Sequence, residues 1–120
     1  MKFLIQFFEP EAEFALRTAN TEASAAYWGA WTLFGEQVKA SGAFVQGNAL
    51  VCPKEARTVV VRDGKRMVHD GPFAETREML GGFFILESPD IDTAIELASK
   101  SPAARYGSVE VRQLMPDCEG

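Results

Sequence analysis

The sequence predicts an α+β domain of the split βαβ, ferredoxin-like plan, with an inserted β-hairpin, paired with a second copy into a dimeric α/β barrel. Three observations support this prediction. Candidate elements follow the order strand, helix, hairpin region, strand, helix, strand. Asp63-Gly64 lies between two β-prone runs. The strands at 3–8 and 83–86 carry apolar residues on both faces, which a single helix layer cannot cover.

The first strand is predicted at residues 2–8, where Phe3, Ile5 and Phe7 share one face. Pro10 ends this strand, and residues 11–19 are expected to hold a short helical turn. The main helix is predicted at 22–41, because four apolar side chains repeat at helical spacing: Tyr27, Trp31, Phe34 and Val38.

Residues typical of helix caps flank both ends of the main helix. Thr21 or Asn20 suits its start, and Gly42 suits the position after its end. A second strand is predicted at 43–51, with an interruption at Gly47 that is typical of a bulge.

A hairpin is predicted from residues 57–62 and 65–69, which flank the turn. Residues 70–80 are expected to form a loop with one or two helical turns, broken by Gly81-Gly82. A strand at 83–88 follows.

A second helix is predicted at 90–100, with a buried stripe made of Ile91, Ala94, Ile95 and Ala98. Pro102 is expected to end this helix. The last strand is predicted at 106–114. One domain should therefore span 1–116, and residues 117–120 should form a frayed tail.

Composition excludes several kinds of site. One histidine (His69) and two distant cysteines (Cys52 and Cys118) are too few for a Cys/His metal centre, so no metal is expected. No nucleotide-binding glycine motif occurs, and no cofactor is expected. The net charge of −5 disfavours nucleic acid as a partner. The apolar N-terminus is too short to span a membrane or act as a signal peptide, which predicts a cytoplasmic protein.

Two blocks of sequence resemble a known family. The first runs from Asp70-Gly71-Pro72-Phe73 through Glu78 and continues as Leu80-Gly81-Gly82-Phe83-Phe84-Ile85. The second runs from Arg105-Tyr106-Gly107-Ser108 to Arg112. Together they resemble the DGPF-domain branch of the YCII-related family over nearly the whole chain.

The resemblance implies a dimeric α+β barrel without an established general activity. Some members of the wider group are thought to use a His-Asp pair. His69 and Asp70 are adjacent on a predicted strand and point to opposite faces, so that dyad is not expected here. The resemblance also implies a connection with extracytoplasmic-function sigma factors.

Asp70 is the candidate catalytic residue, because a carboxylate at the mouth of the sheet can act as a general base. The alternative is an Asx turn before Gly71-Pro72. Further residues are candidates for binding a substrate. Trp28 lies beside the main helical stripe, and the others fall in or near the two blocks: Pro72, Phe73, Glu75, Arg77, Arg105 and Tyr106.

Two functions follow from these candidates. In the first, a homodimer binds a small aromatic or polar metabolite, with isomerase-, dehydratase- or lyase-like acid/base chemistry at Asp70 and an anionic group held by Arg105 or Arg77. In the second, the chain is a non-enzymatic binding or regulatory module whose partner is a protein such as a sigma factor.

Overall fold

The computed structural model describes residues 1–72 and 76–116. Its strands are β1 (Lys2–Pro10), β2 (Phe44–Ala49), β3 (Arg57–Arg62), β4 (Lys65–Asp70), β5 (Glu78–Glu87) and β6 (Ser108–Gln113). Its helices are α1 (Glu11–Leu16), α2 (Glu22–Ala40), α3 (Ile91–Ala98) and α4 (Pro102–Tyr106), with a 3₁₀ turn at Pro53–Glu55. None of the helices in the described ranges is both long enough and apolar enough to cross a bilayer.

The main sheet has four antiparallel strands in the order β2-β5-β1-β6. In β1, the side chains of Phe3, Ile5 and Phe7 are buried beneath the helices, as their alternation predicts. The opposite face of β1 carries Leu4 and Phe8, which are only half-buried. This second face therefore keeps apolar surface that the chain does not cover.

Helix α2 packs along the covered face and begins where the sequence predicts. The Thr21 side chain accepts a hydrogen bond from the Ser24 backbone N–H at 3.4 Å. Gly42 has φ +83°, the left-handed conformation expected just beyond a helix end. Phe34 and Val38 are buried in the core, and Trp31 is half-buried against it.

The predicted break at Gly81-Gly82 is wrong. Strand β5 begins at Glu78 and runs through both glycines, and its register against β1 shifts between Phe7 and Phe8. This shift leaves Gly81 as the extra residue of a β-bulge. A Cβ atom on Gly81 would lie 2.8 Å from the Arg17 side chain. Glycine is therefore needed at position 81 because the Arg17 side chain lies too close to where a Cβ atom would be, and not because the chain turns there.

Three other expectations differ from the structure. In α3 only part of the predicted stripe is buried, because Ile91 and Ile95 are 44% and 47% exposed. Pro102 begins α4, where proline suits the first helical turn, and Tyr106 belongs to this helix instead of the last strand. The irregularity of β2 lies between Phe44 and Gln46, ahead of Gly47. The predicted tail at 117–120 lies outside the described residues.

Strands β3 and β4 form the predicted hairpin as a sheet of their own. Asp63 and Gly64 have φ values of +52° and +74°, as a type I′ turn requires. Four of the five apolar side chains in the two hairpin strands are more than half exposed: Val59, Val61, Met67 and Val68. The chain is accordingly flat, with extents of 48 × 47 × 19 Å. Its radius of gyration of 16.2 Å exceeds the value of about 14 Å typical of a compact chain of this length.

Candidate functional site

A cavity of about 500 Å³ lies between α2 and the β2-β5 edge of the main sheet. Its helix side is formed by side chains spaced three to four residues apart, which places them on one face of α2. Its sheet side is formed by β2 and β5. The residues that define its shape are Trp28, Trp31, Gly35, Lys39, Phe44 and Phe84.

Two glycines keep this cavity open. Gly35 faces it from α2, and an added Cβ there would meet nothing within 4 Å. Gly47 faces it from β2, where an added Cβ would collide with the ring of Phe84. The cavity thus depends on one glycine that leaves space empty and one that lets an aromatic ring approach the backbone.

A buried polar network closes one end of the cavity. Glu9 is 2% exposed and Tyr27 is 6% exposed. The Tyr27 hydroxyl lies 2.8 and 2.9 Å from the two carboxylate oxygens of Glu9, to which it donates its proton. Arg17 donates from Nη2 to Glu9 Oε1 at 3.1 Å and from Nε to the Tyr27 hydroxyl at 2.9 Å. Each member is therefore paired, as burial of these groups requires.

Arg17 also ties together backbone that is distant in sequence. Its Nη2 donates to the Gly81 carbonyl at 2.9 Å, and its Nη1 donates to the Leu50 carbonyl. Its guanidinium carbon lies 4.7 Å from the ring centroid of Phe14 and 5.6 Å from that of Trp28. Such stacking, together with a planar group that donates to several acceptors at once, is a property that lysine does not share. Arg17 therefore fixes the geometry of this end of the cavity.

The network has defined protonation behaviour. Burial raises the pKa of the Tyr27 hydroxyl to about 12, with the neighbouring Glu9 carboxylate adding to the shift and Arg17 opposing it. Burial, together with the negative charge of Glu9, also raises the pKa of Glu13. Tyr27 is consequently a neutral hydrogen-bond donor at physiological pH and not a base.

Aromatic packing supports the middle of the cavity. The Trp31 ring meets Phe7 edge to face, with centroids 4.9 Å apart, and Phe34 at 5.9 Å. The indole N–H of Trp31 is buried and has no hydrogen-bond partner among the described residues. The position of Trp31 is therefore set by aromatic contacts.

The structure places the predicted site residues in three different regions. Trp28 lines the cavity, and its indole N–H donates to the Arg17 carbonyl at 3.1 Å. Asp70 lies at the end of β4, outside the lining of the cavity, with its side chain 86% exposed. It pairs with Arg57, whose Nε lies 3.2 Å from Asp70 Oδ1. The acid/base role of Asp70 stays a prediction.

The remaining predicted binding residues are scattered. Arg77 and Tyr106 both line an open depression that also includes Ser108, on another part of the sheet. Arg105 is exposed on α4, and Pro72 is half-buried after β4. Phe73 and Glu75 lie outside the described residues. No cluster of three potential metal ligands occurs within 1–72 and 76–116.

Sequence reasoning missed Glu9, Arg17 and the polar role of Tyr27. One signal for Glu9 is present in the sequence, because it follows Phe3, Ile5 and Phe7 on the buried face of β1. A carboxylate at such a position needs a buried partner. Arg17 offers no comparable signal, since its partners lie 8 to 64 positions away.

Comparison with known proteins adds three findings. The model of the YCII-related domain family matches residues 1–116. Over 67 residues the chain is 40% identical to an uncharacterised protein of Rhizobium meliloti, and the match covers 54% of each chain. The chain thus spans about half the length of this curated relative. The fold is also similar to that of a 5-chloro-2-hydroxyhydroquinone dehydrochlorinase from Burkholderia phenoliruptrix, solved in complex with 2,5-dihydroxybenzoquinone. The superposition covers 99% of this chain and 98% of the dehydrochlorinase chain, with a TM-score of 0.55 and 18% sequence identity. That likeness shows a shared fold.

Proposed function

The chain belongs to the YCII-related domain family, and from this premise we propose that it binds a small, flat metabolite in the cavity between α2 and the sheet. One observation carries the proposal. The cavity has aromatic sides from Trp28, Trp31 and Phe84 and a fixed guanidinium at one end. Small-molecule sites typically combine apolar sides with a few positioned polar groups. The volume of about 500 Å³ suits a ligand of one or two rings.

The structural neighbour supports a class of chemistry. That enzyme is a dehydrochlorinase solved with a dihydroxybenzoquinone. For this chain we propose lyase-, isomerase- or dehydratase-like acid/base chemistry on a cyclic substrate, with Asp70 as the acid/base group. Because Asp70 is exposed and outside the cavity lining of its own chain, this role requires a second copy to bring the carboxylate to a cavity.

The same assembly is supported by the fold. The strand order β2-β5-β1-β6, with two helices crossing one face, fits a ferredoxin-like protomer. The half-buried second face, with Leu4, Phe8, Phe83 and Ile85, is suited to pairing with an identical face in a dimeric barrel. Light scattering tests this step, because a stable monomer at micromolar concentration would contradict it.

A second candidate function rests on the β3-β4 hairpin. Four of its five apolar side chains are exposed, and these four lie on both faces of the hairpin. An isolated two-stranded hairpin is only marginally stable in water. It is also rich in basic side chains in a chain of net charge −5, with Arg57, Arg62, Lys65 and Arg66 against Asp63 and Asp70. This favours a binding or regulatory module whose partner is a protein, such as a sigma factor.

The experiment that tests the first function is a thermal-shift screen with a metabolite library. Wild type is compared with Asp70→Asn and with Gly35→Leu, a variant that fills the cavity. A hit lost in Gly35→Leu locates binding in the cavity, and a hit lost or unconverted in Asp70→Asn assigns that residue to the site. A hit that both variants retain with full affinity would contradict the proposal, and absence of any hit would favour the regulatory function.

A further inference from the structure

We infer that the ligand of the α2 cavity presents an uncharged hydrogen-bond acceptor, such as an amide, ketone or quinone-type oxygen, to Arg17. This inference rests on the binding role proposed above and specifies its chemistry. It differs from the sequence-based expectation of an anionic substrate group. The argument depends on the donors that Arg17 still has and on the charges that surround it.

Arg17 has little donor capacity left. A guanidinium carries five N–H groups. Four of them donate to partners in the described structure: the Tyr27 hydroxyl, the Leu50 carbonyl, Glu9 Oε1 and the Gly81 carbonyl. The fifth N–H, on Nη1, has no partner within residues 1–72 and 76–116, and Arg17 lines the cavity. A carboxylate is best bound by two parallel N–H groups, whereas a single carbonyl oxygen needs one.

The positive charge of Arg17 is already balanced. The Glu9 carboxylate lies 3.1 Å from Nη2 and is 2% exposed, so solvent screens it weakly. Two backbone carbonyls also point their negative ends at the guanidinium. An anion entering this end of the cavity would therefore meet, in Arg17, a cation whose charge the buried Glu9 carboxylate already compensates. The free-energy cost of removing the anion from water would then not be offset by electrostatic attraction to Arg17.

Among the described residues that line the cavity, the one other cation, Lys39, is too distant to change this balance. Lys39 lies 11 residues beyond Trp28 on α2, which is about 16 Å along the helix axis. Its ammonium is held 5.3 Å from the ring centroid of Phe44. Between these two ends, the sides are formed by Trp28, Trp31 and Phe84, which favour a flat ring.

The test compares three probes that share one ring: benzamide, benzoate and fluorobenzene. Benzamide and benzoate have nearly the same shape but differ in charge, and fluorobenzene lacks a strong acceptor. Binding is followed by NMR through the indole N–H signals of the protein's two tryptophans. We expect benzamide to bind about tenfold more tightly than either of the other probes.

A pair of variants tests the charge argument separately. Glu9→Gln removes the countercharge while keeping an acceptor for Arg17 and Tyr27, so the preference should move at least about tenfold toward benzoate. The matched control is Glu13→Gln, which removes an acid next to the network but outside it and should leave the preference unchanged. Should Glu9→Gln fail to fold, the wild-type comparison still decides.

The outcomes are distinct. Benzoate or fluorobenzene binding wild type as tightly as benzamide would overturn the inference while leaving the cavity a binding site. If none of the probes moved either indole signal, the proposed binding function itself would be contradicted, and the inference with it.

Discussion

Filling the cavity from its α2 side should raise the stability of the chain while lowering its affinity for a cavity ligand. The change is Gly35→Leu, and its matched control is Gly29→Leu on the same helix. An added Cβ meets nothing within 4 Å at either position, but only Gly35 of these two lines the cavity. Both changes replace glycine within a helix, which should stabilise the chain by about 1 kcal/mol each. This corresponds to a rise in melting temperature of about 4 °C for a chain of this size.

Ligand binding should respond differently in the two variants. A leucine side chain at position 35 would occupy space between Trp31 and Phe84, so the affinity for a cavity ligand should fall at least tenfold, or about 1.4 kcal/mol. The Gly29→Leu control should leave the affinity for the cavity ligand unchanged. Calorimetric melting and titration with a screened ligand measure both quantities. Unchanged affinity in Gly35→Leu, with melting raised as in Gly29→Leu, would refute the assignment of the cavity as the site.

The buried network makes three further predictions. In a Tyr106→Phe background, ultraviolet titration should show Tyr27 ionising near pH 12. Because this pKa is raised above the ordinary value of 10.0, the stability that Tyr27 contributes should be complete below pH 10 and lost as the pH rises through 12. Glu9→Gln should lower the pKa of Tyr27. Arg17→Met should lower the free energy of unfolding by about 3–5 kcal/mol in urea, because the buried Glu9 carboxylate loses its cation; a loss below about 1 kcal/mol would argue against a fully buried ion pair. Gly81→Ala should cost about 1–3 kcal/mol, because the new methyl group would lie 2.8 Å from Arg17 Nη2 and 2.9 Å from Glu9 Oε1, and a neutral result would show that the bulge relaxes freely.

Local patterns predicted the elements whose shape depends on their own residues. The alternation of β1, the capped start of α2 at Thr21 and the turn at Asp63-Gly64 follow from side-chain period, capping chemistry and positive φ. Each is determined within a few residues, so one sequence contains the necessary information.

Features set by distant partners were not predictable in the same way. Gly81 resembles a strand breaker in sequence, but it permits a bulge whose carbonyl meets Arg17, 64 positions earlier. Ile91 and Ile95 are exposed because only part of α3 packs against the sheet, and the spacing of apolar residues along a helix does not indicate how wide its buried face is. The same limit applies to the site, where Trp28 was found because it flanks a helical stripe, and Arg17 was not.

The central position of β1 has a consequence for biosynthesis. This strand is hydrogen-bonded to β5 on one side and to β6 on the other, and both come late in the chain. Roughly 100 residues separate the end of β1 from the start of β6, which takes a ribosome about 5–20 s to translate. Until β5 has emerged, Phe3, Ile5 and Phe7 have no strand to pair with, and the sheet stays incomplete until β6 follows. The nascent chain should therefore depend on chaperone protection of its first ten residues until β5 and β6 have emerged.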